Sequence, residues 1–161
     1  MSLIDASRGG NLNHIRGLLN SGVSVTNFTI KRMLDDSSSI SAIKYVLDHH
    51  QGTCSSLTDI VAEMASEGYS DQSIMLAIDN LECDVDHVMR HLIANDRVEL
   101  AAHLLRNDYV DRHTPIHVIH ATNLGHFRLA MELIKAGATF DDCHVRVPAT
   151  YLYSVLETLT K

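Results

Sequence analysis

Apolar doublets recur along the chain at Leu18-Leu19, Val46-Leu47, Ala77-Ile78, Leu104-Leu105 and Leu133-Ile134, their first members 28, 31, 27 and 29 residues apart. Three residues before each doublet stands another apolar side chain: Ile15, Ile43, Ile74, Ala101 and Ala130. Positions i, i+3 and i+4 share one face of an α-helix, so each block predicts a short amphipathic helix. Five blocks at near-constant spacing signal an internal repeat.

Each predicted helix has an apolar companion upstream: Leu3-Ile4 with Ala6, Phe28 to Leu34, Leu57 to Ala65, Val85 to Ile93, and Ile116 to Ala121. Gly9-Gly10-Asn11, Asp35 to Ser39, Gly68 to Asp71 and Ala94-Asn95-Asp96 separate the partners. These are turn and cap chemistries: glycine tolerates positive φ, and Ser, Asp and Asn oxygens accept from free helix N–H groups. Ser70 or Asp71 is expected to cap the helix through Ala77, and Asn95 or Asp96 the one through Leu105. Pro115 fits a helix start, where its missing N–H costs nothing. Pro148 predicts the first turn of a last helix, with Tyr151, Val155 and Leu159 on one face. Alternating runs such as Val23-Ser24-Val25-Thr26 are too short to compete as strands.

The chain therefore reads as all-α: a helical solenoid of about five helix pairs plus a C-terminal capping helix. It forms a single repeat domain over 1–161, with repeats near 2–26, 27–54, 55–82, 83–110 and 111–142 and a cap at 143–161. A lone pair cannot bury its apolar face, so stacking of neighbours must build the core.

Composition narrows this reading. A hydrophobic fraction of 45% over 161 residues ends the case for global disorder. The 5% aromatic content, with no tryptophan, suits thin interfaces filled by Leu, Ile, Val, Met and Ala. Thirteen basic against twenty acidic residues leave a net charge of −7, which argues against a nucleic-acid groove. No apolar run is long enough to span a membrane, and the start at Met1-Ser2-Leu3-Ile4-Asp5 lacks the pattern of a signal peptide. Cys54, Cys83 and Cys143 are an odd, widely spaced set with no Cys-x-x-Cys pair. A disulfide framework and a thiolate zinc site are therefore not expected, and the cytoplasm is the expected compartment.

Histidine is abundant, at eleven. His87 and His91 share a helix face, and His113, His117 and His120 form a second cluster. Neither has a compelling third ligand, so no metal or other cofactor is expected, and the imidazoles read as solvated or bonded to backbone.

Two blocks carry a family pattern. The first runs Leu3-Ile4-Asp5-Ala6, Gly10-Asn11-Leu12, Ile15, Leu18-Leu19, Gly22-Val23 and Val25. The fifth carries Thr114-Pro115-Ile116-His117, then Ala121, Gly125-His126, Leu133-Ile134 and Gly137-Ala138. These resemble ankyrin repeats in the Leu-x-x-Ala, Thr-Pro-Leu-His, Gly-His, Leu-Leu and Gly-Ala positions. The resemblance covers nearly the whole chain in period but is good in motif only at the two ends. The mean period of 28.75 falls short of the roughly 33 residues of that family. The missing residues belong to the β-hairpin fingers, so full fingers are expected only after Gly22 and Gly137. Thr114 also lies two residues too far upstream of Gly125, which calls for an extended first helix or a slipped frame. In such a signature His117 is expected to bond backbone or hydroxyl groups.

The resemblance implies a non-enzymatic module or adaptor that binds a partner protein on a concave repeat surface. Candidate contact residues lie just before or at the starts of inner helices: Thr26, Asn27, Asn107, Asp108, Tyr109, Asp111, Arg112 and His113. Tyr109 and Arg112 are favoured because Tyr and Arg are over-represented among interface anchors. The acidic balance favours a basic or neutral partner surface. Degenerate arrays of this size also look like those with which intracellular bacteria and large viruses interfere with host proteins, so delivery into a host cytosol belongs to the same reading. Two readings compete. One is a small hydrolase using His113, His117 and His120 with Asp108 and Asp111; no Gly-x-Ser-x-Gly or phosphate-loop motif supports it. The other is a self-associating structural protein, monomer to weak homodimer, docking through its last helix.

Overall fold

The computed structural model describes residues 2–50 and 54–139. Every regular element among them is an α-helix: α1 (Leu3–Arg8), α2 (Leu12–Asn20), α3 (Asn27–Asp35), α4 (Ile40–His49), α5 (Leu57–Glu67), α6 (Asp71–Asn80), α7 (Val85–Ala94), α8 (Val98–Arg106), α9 (Ile116–Asn123) and α10 (Phe127–Lys135). They form the five pairs that the apolar spacing predicts, each doublet in the second helix and each companion in the first. The expected terminal cap at 143–161, including Pro148, Tyr151, Val155 and Leu159, lies outside the described residues, as does Cys143.

The turns are more regular than the sequence. One residue of left-handed backbone stands between the partners of every pair: Gly10 (φ 64°), Ser37 (53°), Gly68 (81°), Asp96 (53°) and Gly125 (79°). In each case the next residue sends its N–H to the carbonyl five positions back: Asn11 to Ala6, Ser38 to Met33, Tyr69 to Met64, Arg97 to Leu92 and His126 to Ala121, at 2.9–3.2 Å. This closure satisfies the last carbonyls of the first helix. All five acceptors belong to buried residues, where an unpaired carbonyl would be costly. Ser37 and Asp96 adopt the left-handed conformation despite their Cβ atoms.

Capping chemistry starts several helices. Ser2, Thr26, Ser56 and Ser70 accept from the N–H groups of Asp5, Thr29, Asp59 and Ser73. Ser70 rather than Asp71 is thus the cap of α6. Neither Asn95 nor Asp96 caps α8. Asp96 forms the left-handed turn, Asn95 Nδ2 donates back to the His91 carbonyl at 2.8 Å, and Arg97 stands at the cap position without a side-chain bond. Pro115 precedes Ile116 at the cap position of α9. The long spacing from Thr114 to Gly125 is met by the length of α9, eight residues against six in α1. No strand occurs among the described residues: after Gly22 the chain forms no finger and runs through Val25 into Thr26, the cap of α3.

The chain divides into two compact units, Met1–Asp84 and Val85–Lys161. In the first, α1 packs on α3 and α3 on α5, while α2 packs on α4. In the second, α7 packs on α9 and α8 on α10. First helices therefore stack on first helices; of the second helices, α2 packs on α4 and α8 on α10, whereas α6 packs on α3 and α5. Fully buried large side chains include Ile15, Ile30, Met33, Leu34, Ile43, Ile60, Met64 and Ile74 in one unit and Met89, Leu92, Ile93 and Leu104 in the other. Each such burial stabilises by about 1.5–3 kcal/mol.

Polar ties recur at close to one repeat. Arg16 Nε donates to the Tyr45 hydroxyl at 3.0 Å, the Cys54 thiol to the Val25 carbonyl at 3.3 Å, and the Asp84 N–H to Thr58 Oγ1 at 2.9 Å. Lys31, buried on α3, reaches both Glu63 and Glu67 of α5 at 2.7 Å.

Candidate functional site

The predicted contact residues all carry structure within the chain. Thr26 caps α3, and Asn27 bonds Ser55. Asn107 Nδ2 donates to the His103 carbonyl at 2.9 Å, closing the end of α8. Asp108, with φ 59°, takes a hydrogen bond from Arg112 Nε at 2.8 Å and a second contact from Nη2. That bond holds the Asp108 carboxyl below its usual range and the Arg112 guanidinium above its own. The Arg112 carbonyl accepts from the Thr139 N–H at 2.8 Å, and the guanidinium lies so near Gly137 that a Cβ there would meet Nη1 at 3.7 Å. Asp111 Oδ1 accepts from the His113 N–H at 2.8 Å, fixing the loop before α9. Tyr109 is partly exposed, with its ring 6.4 Å from that of His103.

Within the second unit, a cavity of about 550 Å³ opens between α7 and α9. Its lining brings together Asp86 and Arg90 from α7, Asp111 and Thr114 from the loop, and Ile116, His117 and His120 from α9. Asp86 and Ile116, like Arg90 and His120, stand 30 positions apart. Stacking of first helices thus converts a repeat spacing into a juxtaposition.

His117 is the buried member. Its side chain is 5% exposed, and its Nε2 makes no hydrogen bond, standing 3.7 Å from Asp86 Oδ1. The bond to neighbouring backbone or hydroxyl groups expected of His117 is not made by Nε2. Burial pushes the His117 imidazole below its ordinary range; Asp86 and Asp111 pull it back up, while His120 and Arg90 push it further down. His120 is lowered by burial, then by Arg90 and His126. Both rings are therefore neutral at pH 7.

Among the described residues, no group of three His, Cys, Asp or Glu side chains is arranged to hold a metal ion. His87 and His91 do share a face, their ring centroids 5.1 Å apart. The thiols of Cys54 and Cys83 are both pushed up by burial, that of Cys83 also by Asp84. This is the reverse of what activates a nucleophile.

Compared with models of known protein families, with curated proteins and with solved structures, the chain matches none of them.

Proposed function

We propose that the chain is a non-enzymatic, ankyrin-like repeat module that binds a partner protein through its first helices. One observation carries this reading. Phe28 and Ile116 are 63% and 57% exposed, the most exposed large apolar side chains among the described residues. Each stands two residues after a threonine at the start of a first helix, one in each unit. Each also lines a cavity, that of Phe28 being about 490 Å³ and shared with Arg32, Glu67 and Tyr69. An exposed apolar anchor beside a polar-rimmed hollow is the arrangement of an interaction surface. No described helix is long and apolar enough to cross a membrane, so neither side chain belongs to a helical span.

The test is affinity capture with mass spectrometry, comparing wild type with Phe28→Asp/Ile116→Asp and with Tyr109→Ala/Arg112→Ala. A partner enriched by wild type and lost with the first pair supports the reading. Equal recovery by wild type and the Asp variant overturns it.

A further inference from the structure

We propose that the cavity between the ends of α4 and α6 is a docking site for a basic amphipathic helix of a partner protein, which seats a leucine-sized side chain against Leu47, Leu57 and Leu81. This surface stands apart from the first-helix anchors above and does not rest on them.

The site begins with a break in the stacking. Second helices pack on one another where α2 meets α4 and α8 meets α10, whereas α6 packs on α3 and α5. The flank of α4 next to α6 instead borders a cavity of about 390 Å³, lined by Leu47 and Asp48 of α4, Leu57 of α5, and Leu81 and Glu82 beyond α6. Leu47 is the second residue of its apolar doublet. The corresponding Ile78, Leu105 and Ile134 are buried, whereas Leu47 is half-buried, as is Leu19 of the terminal pair. A helix suits this break, because a helix is what the flanks of α2 and α8 receive from α4 and α10.

The charge of the occupant follows from the helix ends. Asp48 stands in the last turn of α4 and Glu82 two residues beyond α6, both exposed. A helix C-terminus carries partial negative charge, so carboxylates there gain nothing from the fold, and a cation is attracted by helix end and carboxylate together. The start of α5 does not reverse this. Ser56 accepts from the Asp59 N–H, and Asp59 adds a carboxylate to the first turn. Lys44, one turn before Asp48, offsets one charge of the lining and leaves the excess negative. Around the cavity the imbalance widens: no lysine or arginine occurs between Lys44 and Arg90, against nine acidic residues. Met1–Asp84 holds five basic and eleven acidic side chains, a net of −6, against −1 for Val85–Lys161. Such a field steers a basic partner to this unit and repels an acidic one.

The experiment uses the full chain and three amphipathic helical peptides of about 14 residues on one scaffold. One has a leucine stripe flanked by lysines, the second the same stripe flanked by glutamates, and the third a serine stripe flanked by lysines. Each is titrated while amide and methyl NMR signals are followed. The leucine–lysine peptide is expected to shift Leu47, Leu57 and Leu81 saturably, with a dissociation constant on the order of 100 μM. Either change of peptide should weaken binding roughly ten-fold or more. Leu47→Gln and Asp48→Asn/Glu82→Gln should each weaken it roughly five-fold, and an unchanged spectrum away from the cavity verifies the fold. The absence of saturable shifts from the leucine–lysine peptide overturns the proposal, as do equal binding of all three peptides, shifts confined to other surfaces, or full binding by either variant. A wild-type dimer that Leu47→Gln converts to monomer would assign the groove to a second copy and overturn it too. Phe28→Asp/Ile116→Asp should bind the peptide as wild type does, so this site and the first-helix surface stand or fall separately.

Discussion

Asn27 Oδ1 accepts the backbone N–H of Ser55 at 2.9 Å while its Nδ2 donates to the Ser55 hydroxyl at 3.0 Å. One amide thus clamps the start of the third helix pair to the start of the second. Asn27→Ala removes both bonds and should lower unfolding stability by about 1–2 kcal/mol. Asn27→Asp keeps the acceptor and should cost about half as much. Urea denaturation of the two variants separates them; equal stability of Asn27→Ala and wild type would show the clamp to be without net value.

Lys31 makes an asymmetric prediction. Its side chain is 6% exposed, whereas Glu63 and Glu67 are 45% and 50% exposed. Burial pushes the ammonium down, and the bonds to both glutamates more than reverse this, leaving it above its usual range. Glu63→Gln/Glu67→Gln strands a buried cation and should cost about 2–4 kcal/mol. Lys31→Met leaves two carboxylates that reach water and should cost less than about 1 kcal/mol. The order of the two melting temperatures is the measurement.

The left-handed turns respond to glycine with opposite signs. Ser37→Gly relieves a φ of 53° and should stabilise by up to about 1 kcal/mol, offset in part by the added freedom of the unfolded chain. Gly68→Ala places a Cβ at φ 81° and should destabilise by about 1 kcal/mol, although nothing stands within 4 Å of the new atom. The cost is backbone strain, so Gly68→Val should be no better. Chemical denaturation of the three variants beside wild type reads the signs.

Acid should weaken the second unit before the carboxyls of Asp5 and Asp108 take up protons. His117 and His120 lie below the ordinary histidine value in the folded protein. The unfolded chain therefore takes up more protons once pH falls below about 6.5, and stability declines with it. Asp5 and Asp108, whose carboxyls are held low, begin to lose their contribution only as pH approaches about 4. Thermal melts between pH 7 and 5 should show a falling melting temperature in wild type and a shallower fall in His117→Leu.

The helix pairs were legible in the sequence because helix geometry is local. Ile15 with Leu18-Leu19, or Ala101 with Leu104-Leu105, share a face whatever surrounds them, and their repetition announces stacking. The turn at Gly68 could be read from its residue type. Turns over Asp35 to Ser39 and Ala94-Asn95-Asp96 were legible too, but not that Ser37 and Asp96 take the left-handed position, since neither residue favours that region strongly enough to declare it. Nor was the role of Asn27 legible, which depends on a backbone N–H 28 residues away.

The candidate cavity was hidden for the same reason. Nothing in the sequence singles out Asp86 or Arg90, and the ankyrin-like signature assigns His117 to bonds with backbone or hydroxyl groups. Their 30-residue offsets from Ile116 and His120 were the available signal, and they acquire meaning only when α7 lies against α9. Sequence alone determined the five amphipathic pairs and the acidic, cysteine-poor composition, because apolar period and charge reside in the residues themselves. Tertiary structure decided which side chains lost water and which met. Burial and hydrogen-bond satisfaction are properties of neighbours, and the neighbours of His117 come from another repeat.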